Sequence, residues 1–340
     1  MGLRSVNNPV SSFNDPYSVT GNTASAPCDP NDYNSGCFVS TPVDWGGDRG
    51  LWAGGNNPGL RDTIDYMSLV SGGAGTDFGD LQSSRYDAFG LSNGSRGVFG
   101  GGYTGSNPGI NVIGYITIAS PGNATDFGDL TVARYMHSAL SNGTRGCWGG
   151  GWRGSGYGNS SNVIDYITIA STGNATDFGD LTVARGHGLT GVCNGTRGCF
   201  AGGRDDSAGL NVIDYITVDS TGNATDFGDL TAVSWYNYSA DNETYGVICL
   251  SYNSGTEENN GTLDYITIAS TGNATDFGDM AQSRRAAGGC TNGNRGAFGG
   301  GQAPSITDRV DYITISSPGN STDFGDLTQS RTQAQSTSGD

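Results

Sequence analysis

The sequence predicts an all-β fold built from six repeats of about 50 residues. Glycine accounts for 59 of the 340 residues, and a glycine inside a helix costs about 1 kcal/mol relative to alanine, so long helices are disfavoured. A second observation is the pentapeptide Thr-Asp-Phe-Gly-Asp, whose phenylalanines are Phe78, Phe127, Phe178, Phe227, Phe277 and Phe324. A third is the motif Asp-Tyr-Ile-Thr in its fullest form, which keeps the same spacing at Tyr66, Tyr115, Tyr166, Tyr215, Tyr265 and Tyr312.

Each repeat divides into four segments that read as short β-strands. In one repeat the first segment is 134–141 and the second is 146–151, and Asn142-Gly143 between them predicts a type I′ hairpin turn. A variable loop leads to the third segment, 162–170, which is rich in β-branched residues, and the fourth segment is 176–181. Four strands per repeat without a helical segment are typical of one blade of a β-propeller.

The order of motifs resembles the kelch repeat of β-propellers. The resemblance rests on an arginine that leads the first strand (Arg134), glycines that end the second (Gly149 to Gly151), a tyrosine in the third (Tyr166) and an aromatic residue in the fourth (Phe178). It covers about residues 46 to 335, with phenylalanine where the kelch pattern more often has tryptophan. The shared motifs are nearly identical from one repeat to the next, and their sequence is similar to that of kelch-like virion proteins of tailed phages, especially phages of aquatic cyanobacteria.

The chain ends predict how the ring closes and where the domain begins. Residues 331–338 follow the last fourth strand and align with a first strand, so they could complete the N-terminal blade that contains Trp52. Residues 37–43 are the rival first strand for that blade. We therefore expect a six-bladed propeller of four-stranded antiparallel blades over residues 37–340, preceded by an N-terminal docking arm of residues 1–36 that lacks the repeat.

Composition argues against several classes of partner. The 16 basic residues are all arginine, and with 33 acidic residues the net charge is −17. Nucleic acid is a poor partner for such a chain, because phosphate binding requires a basic face. No run approaches the 18 apolar residues of a membrane span, and residues 1–16 lack the apolar core of a signal peptide. The seven cysteines are expected to be small buried residues and not a disulfide framework.

Most of the repeated polar residues are expected to be structural. The Asp pairs, such as Asp177 and Asp180, are expected to bond nearby backbone N–H groups on a tight glycine turn, although they could hold calcium weakly. Two arginine series are expected to form Arg–Asp pairs between blades. They are Arg85, Arg134, Arg185, Arg284 and Arg331, and Arg49, Arg96, Arg145, Arg197 and Arg295. Catalytic residues, a catalytic metal and a cofactor are not expected, because His137 and His187 occupy non-equivalent positions and no catalytic motif is present.

The residues that differ between repeats are the candidates for binding. The loops between second and third strands share little sequence and emerge on the same face as the links between blades. Variable loops held on one face of a rigid scaffold are typical of a binding surface. The fifth repeat departs most from the others, because aromatic residues replace its arginines and the glycines are lost. Our candidate binding residues are Trp152, Trp235, Tyr236, Tyr238, Tyr245 and Tyr252. The alternative is a drifted blade in which bulky side chains fill the space that glycine left.

These observations favour a non-enzymatic structural or adhesion protein of a phage particle. The expected partners are other virion subunits, through residues 1–36, and a host-surface glycan or protein, through the variable loops. Localisation in the virion after synthesis in the host cytoplasm would explain why no signal peptide is visible. The alternative is a secreted or surface lectin or adhesin, and a less favoured one is an enzyme of the copper-oxidase type.

Overall fold

The chain forms a closed six-bladed β-propeller with four antiparallel strands in each blade. The computed structural model describes residues 47–154, 159–253 and 258–340, and none of them lies in a helix that could span a membrane. The first strand of each blade lies innermost and contacts the first strands of both neighbouring blades. The fold class predicted from the repeats is therefore confirmed.

The strand bounds repeat closely from blade to blade. The first strands are Gln335–Gly339, Phe89–Ser92, Ser138–Ser141, Thr190–Cys193, Tyr238–Asp241 and Gly288–Thr291. The second strands are Arg49–Ala53, Arg96–Gly100, Arg145–Gly149, Arg197–Ala201, Tyr245–Cys249 and Arg295–Gly299. The third strands are Thr63–Ser68, Val112–Thr117, Val163–Thr168, Val212–Thr217, Thr262–Thr267 and Arg309–Thr314. The fourth strands are Thr76–Asp80, Thr125–Asp129, Thr176–Asp180, Thr225–Asp229, Thr275–Asp279 and Thr322–Asp326. Short pairs outside the blades involve Gly73–Ala74, Tyr252–Asn253, Glu258–Asn259, Gln302–Ala303 and Ser305–Ile306.

The C-terminal strand closes the ring, as expected. Gln335–Gly339 pairs antiparallel with Arg49–Ala53, which places Ser336 opposite Trp52. The C-terminal segment thus supplies the first strand of blade 1, and blades 2 to 6 follow in chain order. Residues 37–43 and the predicted arm, residues 1–36, lie outside the described residues.

The hairpin turns differ in one respect from the prediction. The backbone N–H of Asn142 donates to the carbonyl of Arg145, so the two central residues are Gly143 and Thr144. Only Gly143 has a positive φ, of 80°, and a positive φ at the first central position alone is the type II′ pattern. The side-chain oxygen of Asn142 instead accepts hydrogen bonds from the backbone N–H groups of Thr144 and Arg145.

The hydrophobic core lies between neighbouring blades. Trp148 of blade 3 is fully buried in one cluster with Leu91, Val98 and Phe127 of blade 2. Trp52, Phe99, Phe200 and Phe298 occupy the equivalent buried positions. In blade 5 this position is Ile248, because Ile248 is paired with Asp264 as Trp148 is with Asp165.

The fourth strand carries a β-bulge that brings the next blade close. The register shifts beside Phe127, and Gly128 has a φ of 147°. A side chain at Gly128 would collide with the carbonyl of Gly173 in the next blade. The N–H of Gly173 donates to the carbonyl of Phe127 (2.7 Å), and the side chain of Asn174 accepts the N–H of Asp129 (3.1 Å). Each turn thereby covers the outer edge of its neighbour, where a bare strand edge would invite aggregation.

This arrangement corrects the expectation for the Asp pairs. The motif Thr-Asp-Phe-Gly-Asp is a bulged outer strand and not a tight turn. Asp177 is exposed, while the backbone N–H of Asp180 is bound by Asn223 of the next blade. In five of the six turns an asparagine, not the aspartate side chain, makes the local backbone contact, and in blade 1 the segment Gly73–Ala74 pairs with the outer strand of blade 6 instead.

The first arginine series also pairs differently from the prediction. Arg134 and Asp165 form a fully buried ion pair of 2.7 Å, and both residues belong to blade 3. The remaining pairs within single blades are Arg185–Asp214 (2.7 Å), Arg284–Asp311 (2.5 Å) and Arg331–Asp65 (2.9 Å). The contact between blades comes from a threonine, because Thr131, at the end of blade 2, donates to Asp165. The predicted pairing between blades is therefore wrong for this series.

The second arginine series does connect neighbouring blades, but through backbone carbonyls. Arg145 stacks over Tyr166 of its own blade, with its Cζ 4.3 Å from the ring centroid. Its Nη1 donates to the carbonyl of Val218 in the next blade, at 2.9 Å. Arg49, Arg96 and Arg197 make equivalent bonds to Ile118, Ile169 and Ile268.

We expect Asp165→Asn to lower the free energy of unfolding by about 3 kcal/mol or more, because it leaves the buried charge of Arg134 uncompensated. Urea unfolding followed by circular dichroism measures this change. Asp177→Asn, the same substitution at an exposed position of the same blade, is the control and should cost no more than about 0.5 kcal/mol. Equal losses for the two variants would contradict a stabilising role for the buried pair.

Candidate binding site on the loop face

One face of the propeller carries all the variable loops. We call it the loop face, and it consists of the loops between second and third strands together with the links between blades. A β-bridge joins link and loop in every blade. These bridges are Thr332–Asn56, Tyr86–Tyr103, Tyr135–Trp152, Gly186–Arg204, Trp235–Tyr252 and Arg285–Gln302. The scaffold therefore places one link residue and one loop residue of each blade next to each other at a fixed position.

The residue after each link bridge has an unusual backbone conformation. Its φ lies between 54° and 58° in all six blades, at Asp87, Met136, His187, Tyr236, Ala286 and Gln333. A non-glycine residue in this region costs about 1–3 kcal/mol and persists where the surrounding structure imposes it. The backbone is thus constant around the ring while the side chains are chemically different. That combination suits a surface that recognises an asymmetric partner.

A cavity of about 300 Å³ lies on this face. Its walls include His187 and Arg204 from blade 4, Trp235, Tyr236 and Tyr252 from blade 5, and Arg285 from blade 6. Gln302 and Gln333 also line it. We call this cavity the aromatic–arginine pocket.

Tilted aromatic rings and guanidinium groups form the pocket walls. The rings of Trp235 and Tyr252 lie 5.1 Å apart, and the Cζ of Arg204 is 5.5 Å from the Trp235 ring. Arg285 has its Cζ 5.0 Å from the Tyr252 ring. Its Nη2 and Nε donate to the side-chain oxygen of Gln302, at 3.0 and 3.3 Å. Arg285 therefore has a neutral hydrogen-bond partner and forms no ion pair with a described carboxylate.

Two titratable side chains of the pocket, His187 and Tyr236, are neutral near pH 7. Burial, together with the charge of Arg204, lowers the pKa of His187 to about 4. Burial and then the charge of Asp87 raise the pKa of Tyr236 to about 12. Arg204 and Arg285 are thus the charged groups among the described lining residues.

The structure brings together three of the six candidates from the sequence. Trp235, Tyr236 and Tyr252 line the pocket. Trp152 is buried behind it, with its ring 4.3 Å from that of His187. The sequence analysis missed Arg204, Arg285 and His187. The sequence marks one of them as unusual, because Arg285 follows the structural Arg284 at the link position that Trp235 occupies in blade 5, but it does not show that this side chain faces blade 5.

The other two candidates do not reach the pocket. Tyr238 is buried in the core against Phe298 (5.3 Å), and its hydroxyl donates to the carbonyl of Arg284 at 3.3 Å. Tyr245 begins the second strand, at the end of the blade opposite to the loop face, and packs on Tyr265. For these two residues the structure supports the repacking of a drifted blade.

The fold defines the class of this protein as a six-bladed β-propeller. No protein-family model and no curated protein matches its sequence. In the described part of the chain, no group of three or more His, Cys, Asp or Glu side chains is arranged to hold a metal ion. Five cysteines are described, and all are buried free thiols: Cys147, Cys193, Cys199, Cys249 and Cys290.

A buried carboxyl group next to the pocket is expected to make stability depend on pH. A cavity of about 20 Å³ is lined by Asp87 together with the pocket residues Tyr236 and Gln333. Asp87 accepts a hydrogen bond from Nε2 of Gln333 at 2.9 Å, and burial raises its pKa to about 8. An aspartate in the unfolded chain has a pKa of about 3.9. The protonated form therefore stabilises the fold, and this contribution is lost as the pH rises from about 4 through 8.

We expect Asp87→Asn to remove this pH dependence. Between pH 4 and pH 8, the wild-type protein should lose stability relative to Asp87→Asn by up to about 1.4 kcal/mol per pH unit. Urea unfolding at pH 4, 6 and 8 measures the difference, and Asp77→Asn at an exposed position serves as the control. A difference between wild type and Asp87→Asn that stays constant with pH would show that Asp87 is not buried as a neutral acid.

Proposed function

We propose that this protein is a non-enzymatic, kelch-like propeller of a tailed-phage particle, and that it binds a host-surface or partner-subunit ligand through its loop face. The observation that carries the proposal is the contrast between a constant backbone and variable side chains at six equivalent positions around the ring. A rigid scaffold that presents variable loops is the usual arrangement of a recognition protein.

The kelch-like part of the proposal has support from the roles of the repeated residues. The arginine that leads the first strand forms the buried ion pair, as Arg134 does with Asp165. The glycines after the second strand meet the following link, where the N–H of Gly151 donates to the carbonyl of Arg185. Tyr166 and Phe178 pack edge to face, 5.9 Å apart. The shared motif thus forms the blade, while the loops between copies are left for binding.

The alternative is that the protein is a lectin or adhesin that is secreted or displayed on a cell surface. The pocket favours this alternative equally, because aromatic rings with polar groups at their edges are suited to sugars and proteins. The two functions differ in where the protein is found and not in how it binds.

Mass spectrometry of purified particles separates these functions. The culture is one in which a tailed phage carrying this coding sequence is propagated, and the particles are purified by density gradient. We expect the protein at a fixed ratio to the major capsid protein, since a structural component is present in constant copies. Its absence from particles, with recovery in the cell envelope or the medium, would replace the virion function with the adhesin function.

A substitution in the pocket tests whether the loop face carries the binding. We expect Tyr252→Ala to weaken attachment of the purified protein to host cells or to its partner subunit by tenfold or more, since aromatic hot spots often contribute about 2 kcal/mol. Tyr103→Ala is the matched control, because Tyr103 holds the equivalent bridge position in blade 2, outside the pocket. Equal attachment for both variants at unchanged melting temperatures would remove Tyr252 from the binding site.

A further inference from the structure

We propose that the aromatic–arginine pocket binds an acidic sugar residue of a glycan, with the carboxylate held by Arg285. This inference rests on the proposed binding function of the loop face and names its ligand class. It follows from the charge of the pocket, the hydrogen bonds of Arg285 and the arrangement of the aromatic rings.

The pocket has the opposite charge to the rest of the molecule. The chain has a net charge of −17, yet the described lining residues include Arg204 and Arg285 and no Asp or Glu. His187 adds no charge near neutral pH, because burial and Arg204 lower its pKa to about 4. Two arginines in the described lining of an otherwise acidic protein favour an anionic ligand over a neutral or cationic one, with Asp206 as the nearby carboxylate whose charge acts on His187.

Arg285 differs from the arginines that hold the fold together. Arg134 is fully buried, and its Nη1 and Nη2 donate to Asp165 and to three backbone carbonyls. Arg285 is partly exposed and uses Nε and Nη2 for one neutral oxygen, that of Gln302. A guanidinium group has five N–H donors, so Arg285 retains donors for a ligand. A carboxylate is the group that its planar fork binds best.

The rest of the pocket suits a sugar ring. Tyr252 and Tyr236 present aromatic surface, Trp235 lies in the wall but is only 6% exposed, and Gln302 and Gln333 provide amide groups that can bond hydroxyls. The volume of about 300 Å³ is at the lower end of the range for ligand pockets, about 300–1,000 Å³, so the pocket suits a small group at the end of a chain. Inorganic phosphate would use the arginines without the rings. An acidic sugar uses all three features.

Titration calorimetry with defined oligosaccharides tests this inference. The probes are trigalacturonate, a hyaluronan tetrasaccharide and 3′-sialyllactose, each compared with its carboxyl methyl ester. We expect at least one acid to bind the wild-type protein and its ester to bind tenfold more weakly or not at all. Inorganic phosphate and a hexaglutamate peptide should not displace the bound acid at equal concentration.

Arg285→Ala and Arg153→Ala each remove one positive charge, so comparing them tests whether Arg285 holds the carboxylate. Arg285→Ala should weaken binding of the acid by tenfold or more, while Arg285→Lys should recover part of it because it restores the charge without the fork. Arg153→Ala is the control, because Arg153 is exposed on the loop face outside the pocket. It should bind within twofold of wild type. Unchanged melting temperatures show that all three variants are folded.

The outcomes separate this inference from the proposed function. Equal binding of acids and esters, equal effects of Arg285→Ala and Arg153→Ala, or displacement by phosphate or peptide would overturn the acidic-sugar assignment. If no acid binds while Tyr252→Ala still weakens attachment, the loop face binds a different ligand and only this inference fails. If an acid binds but the protein is absent from particles, the virion function fails and the sugar pocket stands.

Discussion

The buried ion pair between a link arginine and a third-strand aspartate positions the loop face. Arg134 lies in the link between blades 2 and 3, and its guanidinium is held by Asp165 and by the carbonyls of Trp148, Gly150 and Val163. The same Asp165 accepts a hydrogen bond from Thr131, at the end of blade 2. The link is therefore fixed to both blades. Because the bridge residue and the residue with positive φ follow this arginine directly, the pair fixes the side chains that the propeller presents.

Two blades lack half of this ion pair, and they show how the fold tolerates its loss. In blade 2, Gly114 stands where the other blades have aspartate, and the hydrogen-bond partners of the buried Arg85 among the described residues are the carbonyls of Phe99 and Val112. Burial lowers its pKa to about 10. In blade 5, Ser234 replaces the arginine, and within the described part of the chain Asp264 accepts hydrogen bonds from Thr231 and from no arginine. Burial raises the pKa of Asp264, as expected for a carboxylate without a cation.

Blade 5 compensates with a neutral hydrogen-bond network. The amide of Asn237 donates to the carbonyl of Ser234 (3.1 Å) and accepts from the hydroxyl of Ser234 (2.7 Å) and the N–H of Ser251 (3.2 Å). Tyr238 donates to the carbonyl of Arg284, where the other blades use a glycine N–H. The aromatic substitutions of blade 5 therefore have two purposes. Tyr238 replaces a lost structural contact, whereas Trp235 and Tyr252 line the pocket.

The architecture could be predicted from the sequence because the repeated motifs occupy equivalent strands in every blade. Two motifs in one register determine the number of blades, and the spare first strand at the C-terminus determines the closure. The pocket was only half predictable. Trp235 and Tyr252 differ from their counterparts in other repeats, but His187 and Arg285 reach the pocket from blades 4 and 6, and one repeat does not show which neighbouring side chains converge on it. The direction of Tyr238 also depends on a hydrogen bond to the next link, which strand alternation alone does not reveal.

The distribution of charge connects the fold to the proposed ligand. The shared motif places two aspartates on every outer strand, and Asp177 and Asp126 among them are exposed, so the rim of the ring is acidic. The arginines of the two repeated series are used inside the blades or over their tyrosines, so they do not neutralise the rim; Asp323, which lies 3.6 Å from Arg309, is a rim aspartate with an ion-pair partner. At physiological ionic strength such charges act over about 8 Å. If the proposed acidic sugar is the ligand, the glycan would be repelled along the rim and attracted where Arg204 and Arg285 line a cavity. The net charge of −17, on which the expectation against nucleic acid rests, would then also favour this pocket over the rim.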